Sequence, residues 1–134
     1  MLPFKINLEN KVAVVTGGGG VICSELSKAL AECGAKVAVL DLFLEAAQKT
    51  AEEIKKLGGI AEGFAANVLD KQSLMDCHEQ VLKTFGKCDI LINGAGGNNP
   101  KATTDNEYAE LDDSMKDLKS FFQLDQSGVE FVFN

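Results

Sequence analysis

Three short segments of this chain hold residue types that could do chemistry together. The first is Thr16 followed by Gly17, Gly18, Gly19 and Gly20, and then by Val21 and Ile22. Glycines permit positive φ and let backbone N–H groups approach an anion, while the N-terminus of a following helix adds a favourable dipole. That is the chemistry of a diphosphate cradle. A glycine run alone is more often a plain turn, so its surroundings decide. The second segment is Asp41-Leu42, at the end of an apolar run over residues 36–40. A carboxylate placed there can accept hydrogen bonds from ribose hydroxyls. It would also repel a 2′-phosphate, and Leu42 and Phe43 supply no cation to hold one, which favours NAD over NADP. The competing reading of Asp41 is a helix N-cap. The third segment is Asn93-Gly94-Ala95-Gly96, a second small-residue turn behind another apolar run.

These segments can act together only if the elements around them bring them to one place. Residues 11–16 (KVAVVT) read as a short buried strand. From Val21 the apolar period turns helical, with Ile22, Leu26, Leu30 and Cys33 at three- and four-residue steps, until Gly34 ends it. Residues 36–40 (KVAVL) form a second strand. Leu44, Ala47, Ala51 and Ile54 mark the inner face of a second helix, closed by Gly58-Gly59, and residues 60–66 make a third strand. Asp70 suits the N-cap of a third helix with the stripe Leu74, Cys77, Val81, Leu82 and Phe85. Gly86 stops it before a fourth strand at 88–92. Strands alternating with helices imply βαβ units, a parallel sheet and right-handed crossovers. With strand order 3-2-1-4, strands one and four flank the topological switch point, and both glycine turns open onto one crevice. The fold class expected is therefore α/β, a Rossmann-type doubly wound parallel sheet.

Beyond Asn93 the pattern weakens. Asn98-Asn99-Pro100 is a turn, residues 101–120 read as a surface loop or marginal helix, and 128–134 as the start of a helix. The chain of 134 residues is thus expected to be one incomplete nucleotide-binding domain, with its βαβ core at 8–97 and a loop and helix start at 98–134. Apolar residues make up 46% and charged residues 25%, as in ordinary globular domains. A net charge of −7, with scattered lysines such as Lys55 and Lys56, argues against a nucleic-acid surface. No apolar run is long enough for a membrane span and no basic-then-apolar leader is present, so the default compartment is the cytoplasm. Cys23, Cys33, Cys77 and Cys88 include no C-x-x-C pair, and on a helix His78 points well away from its neighbour Cys77. No metal site is expected, and the cysteines read as reduced, small apolar residues.

Thr16-Gly17-x-x-x, Asp41, Asn67-Val68 and Asn93-Gly94-Ala95-Gly96, spread over residues 8–97, resemble the short-chain dehydrogenase/reductase family. The wording around them (GGGGVICSELSKALA, INGAGGNNPKATT, SGVEFVFN) is most similar to its sugar-acid branch, the D-mannonate oxidoreductases or fructuronate reductases. The resemblance implies that Gly17, Gly18, Gly19, Gly20, Val21 and Ile22 meet the cofactor diphosphate. It implies that Asp41 and Leu42 meet the adenosine ribose, that Asn67 and Val68 flank adenine, and that Asn93, Gly94 and Ala95 support the edge of strand four near the cofactor. Three departures stand out. The usual Thr-Gly-x-x-x-Gly-x-Gly pattern has Val21 and Cys23 at its later glycines, and Asn67 replaces an aspartate.

The family's proton transfer uses a serine with a Tyr-x-x-x-Lys set, in which lysine lowers the tyrosine pKa. The one tyrosine here, Tyr108, is followed four residues later by Asp112, which would act in the opposite direction. No catalytic residue is therefore assigned. The chain is expected to correspond to about the first half of a family member and to be inactive alone. The complete enzyme would take a small-molecule sugar acid with NAD and no nucleic acid or membrane partner. An unpaired fourth strand would favour a homo-oligomer. An S-adenosylmethionine-dependent methyltransferase and a non-catalytic nucleotide-binding module are the alternatives. Strand four ends in Asn-Gly-Ala-Gly rather than an acidic or Pro-rich motif, which disfavours the methyltransferase. A phosphate-loop NTPase is excluded because no Gly-Lys-Ser/Thr follows the glycines.

Overall fold

The protein is described by a computed structural model covering residues 6–105 and 119–133. Its four strands are β1 (Val12–Thr16), β2 (Lys36–Asp41), β3 (Ile60–Ala65) and β4 (Ile90–Asn93). Between them run α1 (Val21–Glu32), α2 (Leu44–Lys56) and α3 (Lys71–Phe85), and α4 (Gln126–Phe133) follows later. The strands form one parallel sheet in the order β3-β2-β1-β4. This is the α/β Rossmann-type arrangement expected from the alternation of patterns. Valine-rich runs suit strands that are buried on both faces. Gly34, Gly58 and Gly86 end the helices at φ of +97°, +87° and +92°, where a side chain would be strained.

Alternate side chains of each strand point to opposite faces. Ala13 and Val15 of β1, Val37 and Val39 of β2, and Ala61 of β3 pack beneath α1 and α2. Val14, Ala38, Leu40 and Phe64 pack with Cys77 and Val81 of α3 on the other face. On α2 the buried residues are Ala47, Thr50, Ala51 and Ile54, close to the expected stripe, though Leu44 is exposed. Asp70 caps α3, its carboxylate accepting the Gln72 N–H at 2.9 Å.

Two apolar stripes differ from the sequence expectation. On α1 the buried face is Cys23, Ser27 and Ala31, whereas Ile22 and Leu26 are exposed and Leu30 is half-buried at the rim. A face of small side chains lets helix and sheet backbones come close, and the larger aliphatics are displaced to the flanks. The Ser27 Oγ has no hydrogen-bond partner among the described residues. On α3 the buried pair is Cys77 and Val81, and Leu82 is exposed. Burial pushes the Cys77 thiol above its usual range.

By contacts the chain divides into Met1–Ala95 and Gly96–Asn134. Among the described residues of the second unit are two 3-10 turns, Pro100–Ala102 and Phe121–Gln123, and α4. Asp125 N–H donates to Lys101 O at 3.1 Å, and a Cβ on Gly128 would meet Lys101 Cβ at 2.6 Å. The helix begins at Gln126, two residues before the apolar patch that announced it. Among the described residues no helix is long and apolar enough to cross a membrane, and no group of His, Cys, Asp or Glu could hold a metal ion.

Candidate nucleotide site

The carboxyl ends of the four strands form one edge, and the cofactor-site residues expected from the sequence, at 17–22, 41–42, 67–68 and 93–95, lie at or just after those strand ends. The turn from β1 to α1 is closely packed. Gly17 has φ +65°, and a Cβ there would lie 2.8 Å from Gly94 O and 2.9 Å from Ala95 Cα. The two small-residue turns therefore touch, as the strand order required. A Cβ on Gly18 would meet Val39 Cγ1 at 2.5 Å. One on Gly19 would meet Ala46 Cβ at 2.5 Å and Asp41 Oδ2 at 3.0 Å.

The amides of this turn divide into two sets. The Gly18 N–H donates to Leu40 O at 2.8 Å, the Gly20 N–H to Gly17 O at 3.0 Å, and the Gly19 N–H to Asp41 Oδ2 at 3.0 Å. These three glycines spend their donors on shaping the turn. The first amides of α1 are different, because an α-helix offers them no acceptor and the N-cap, Gly20, has no side chain to supply one. Val21 and Ile22 are exposed at that position. An anion arriving here would meet the helix-terminal amides of Val21 and Ile22, with the glycines providing the close approach.

Asp41 ties this turn to the end of β2. Its Oδ2 accepts from Gly19 N–H and its Oδ1 from Phe43 N–H at 3.1 Å. The N-cap of α2 is Phe43, with no side-chain cap, so Asp41 is not the helix cap. Each carboxylate oxygen has a further lone pair available to a ribose hydroxyl. Leu42 and Phe43 beside it are exposed and uncharged.

Asn67 and Val68 follow β3, where Ala66 N–H donates to Asp41 O at 2.8 Å. Asn67 makes local bonds. Its Oδ1 accepts Leu69 N–H at 3.0 Å and its N–H donates to Ser73 Oγ at 2.9 Å. Val68 is exposed and borders an apolar groove shared with Thr16, Leu40 and Asn93. Tyr108 and Asp112 lie outside the described residues.

Two positioning roles were not read from the sequence, that of Thr16, which the motif names, and that of Thr50, which it does not. Thr16 Oγ1 accepts the N–H groups of both Gly94 and Ala95 at 3.1 Å, which fixes the second turn to the first. The Thr50 hydroxyl, buried on the inner face of α2, donates to Gly18 O at 3.1 Å. Thr50 could have been found as the one hydroxyl interrupting an Ala47, Ala51, Ile54 stripe. A buried hydroxyl needs a partner, and here the partner is the glycine turn.

This geometry joins an uncapped helix N-terminus, a carboxylate at the next strand end and a second small turn across the switch point. A family model for short chain dehydrogenases matches residues 11–131. The chain belongs to the short-chain dehydrogenase family. An uncharacterized oxidoreductase of Haemophilus influenzae is 54% identical over 128 residues, which cover 96% of this chain and 45% of that protein. The uncharacterized oxidoreductase UxuB of Bacillus subtilis is 46% identical, over 100% of this chain and 47% of its own length. A solved Haemophilus structure with bound NAD, of a protein provisionally named D-mannonate oxidoreductase, superposes with a TM-score of 0.85 at 53% identity. That match covers 96% of this chain and 46% of the other. This member of the family thus spans about half the length of the curated relatives it matches.

Proposed function

We propose that this chain is the NAD(H)-binding portion of an oxidoreductase that interconverts a keto sugar acid and its hydroxy form. The observation that carries the reading is Asp41. Its carboxylate stands at the end of β2, hydrogen-bonded to Gly19 of the glycine turn, with no cationic residue in the segment that follows it. One group can thereby meet a ribose and hold the diphosphate turn in shape. The residues present fit the cofactor. Val21 and Ile22 amides would take the diphosphate, Asp41 and Leu42 the adenosine ribose, and Asn67 and Val68 the adenine flank. Asn93, Gly94 and Ala95 would border the other half of the dinucleotide. When bound, the nicotinamide supplies hydride transfer to or from a carbonyl carbon. This chain's residues bind and orient it, and the reading assigns no proton transfer to Tyr108.

The sugar-acid substrate class is supported by the likeness to the Haemophilus protein provisionally named D-mannonate oxidoreductase. Calorimetric titration tests the cofactor assignment. NADH is expected to bind more tightly than NADPH, and Asp41→Ala to weaken NADH by about 1–3 kcal/mol through lost charge-assisted hydrogen bonds. NADPH binding as tight as NADH would overturn the role of Asp41.

A further inference from the structure

Gly94 is a glycine for a reason that lies on another element. Its φ is outside the left-handed region, in contrast to Gly17 at +65°, so its backbone would accept any residue. Space is what forbids a side chain. A Cβ built on Gly94 would fall on the Sγ of Cys23, with Thr16 O next at 3.0 Å and Cys23 Cβ at 3.6 Å. Cys23 sits in the first turn of α1, on the buried face of that helix, 8% exposed. It has one side-chain torsion, and a helix disfavours one of the three staggered wells, so the thiol has little freedom to step aside. The family pattern described above has a glycine at position 23. Here the thiol fills that space and the missing Cβ of Gly94 receives it.

We propose that Cys23 and Gly94 form one complementary steric unit that sets the spacing between the N-terminus of α1 and the turn after β4. Cys23 is thereby a positioning residue for the dinucleotide. The unit acts on two walls of one crevice. It places the Val21 and Ile22 amides on one side relative to Asn93, Gly94 and Ala95 on the other. Thr16, which accepts from the Gly94 and Ala95 amides, holds the turn in, and the thiol limits how closely it approaches. The proposal rests on reading this crevice as the NAD(H) site.

The test is a double-mutant cycle of Gly94→Ala, Cys23→Ala and the two together, read by NADH affinity, ADP affinity and thermal midpoint. Gly94→Ala forces a clash and is expected to weaken NADH about tenfold or more. Cys23→Ala removes the thiol that spaces the turn and is expected to weaken NADH about threefold or more. The double variant, whose new methyl at position 94 takes up the space the Sγ leaves, should return to within about threefold of wild type. Unchanged affinity in Cys23→Ala overturns the positioning role. ADP is short enough to engage Asp41 and the α1 amides alone. It should weaken less than about threefold in Gly94→Ala, a split that general loss of structure would not produce. Additive effects in the cycle, or a double variant as weak as Gly94→Ala, overturn the unit. Equal loss of NADH and ADP affinity overturns its positioning role. If Gly94→Ala does not fold, recovery of soluble protein in the double variant supports the unit and failure of both overturns it. If the wild-type chain does not bind NADH, the cofactor reading fails, and the thermal midpoints still decide whether Cys23 and Gly94 are coupled.

Discussion

On one face of the sheet, Ala13, Val15, Val37 and Val39 are sealed under two helices by Ala31, Ala47, Ala51 and Ile54. On the other face, among the described residues of the first unit, α3 covers Val14, Ala38 and Leu40, and beside it runs an apolar groove of about 400 Å³. The groove is bordered by Leu74, His78, Leu82 and Leu91, of which His78, Leu82 and Leu91 are exposed. The sequence stripes of the two faces look alike. What differs is how much of each stripe finds a partner. An exposed groove residue such as Leu82 therefore contributes much less than a sealed one such as Ile54, because only the area removed from water contributes.

The largest effect should come from the sealed face. Ile54 is 1% exposed, and Ile54→Ala should cost about 2–5 kcal/mol in transfer and cavity terms, read as a lower urea midpoint. A loss under about 1 kcal/mol would break the comparison at its strong end. An intermediate effect is expected at the joint between β1 and β4. Asp89 accepts Val12 N–H at 3.0 Å and the Lys11 ammonium at 3.3 Å. The Val12 N–H above all, and then Lys11, hold its carboxyl below the usual value of 3.8. A depressed folded pKa contributes stability above 3.8 that is lost as pH falls through the folded value. Asp89→Asn should therefore lower the midpoint at neutral pH, and its gap from wild type should close in acid. A gap that stays constant down to pH values well below 3.8 would show that the charge does not matter. The smallest effect belongs to the open face. Leu82→Gln should change stability by no more than about 0.5 kcal/mol, and a larger loss would mean that Leu82 is covered in solution.

Much of the fold was legible because it is written in local chemistry. Alternating valine-rich strands, helical periods and glycines at Gly34, Gly58 and Gly86 each depend on neighbours a few residues away. The candidate site was legible in the same way. Glycines before a helix, an acid at a strand end and a second small turn are local patterns whose meeting follows from strand order. The buried face of α1 was not legible. Ile22 and Leu26 are more apolar than Cys23 and Ser27, yet the sheet takes the small side, because closeness of approach outweighs side-chain size there.

The sequence by itself determined that a parallel α/β sheet forms and that its carboxyl edge carries Gly17, Asp41 and Gly94. Only the tertiary structure decided how those groups are held. Asp41 holds Gly19, Thr50 holds Gly18, Thr16 holds the turn after β4, and Cys23 fills the space that Gly94 leaves. Each of these pairs joins residues on different elements, over separations of 22 to 79 positions along the chain. Periodicity has no reach over such distances. A hydrogen bond or a van der Waals contact depends on positions to within an ångström, and those positions exist only once the helices have docked on the sheet.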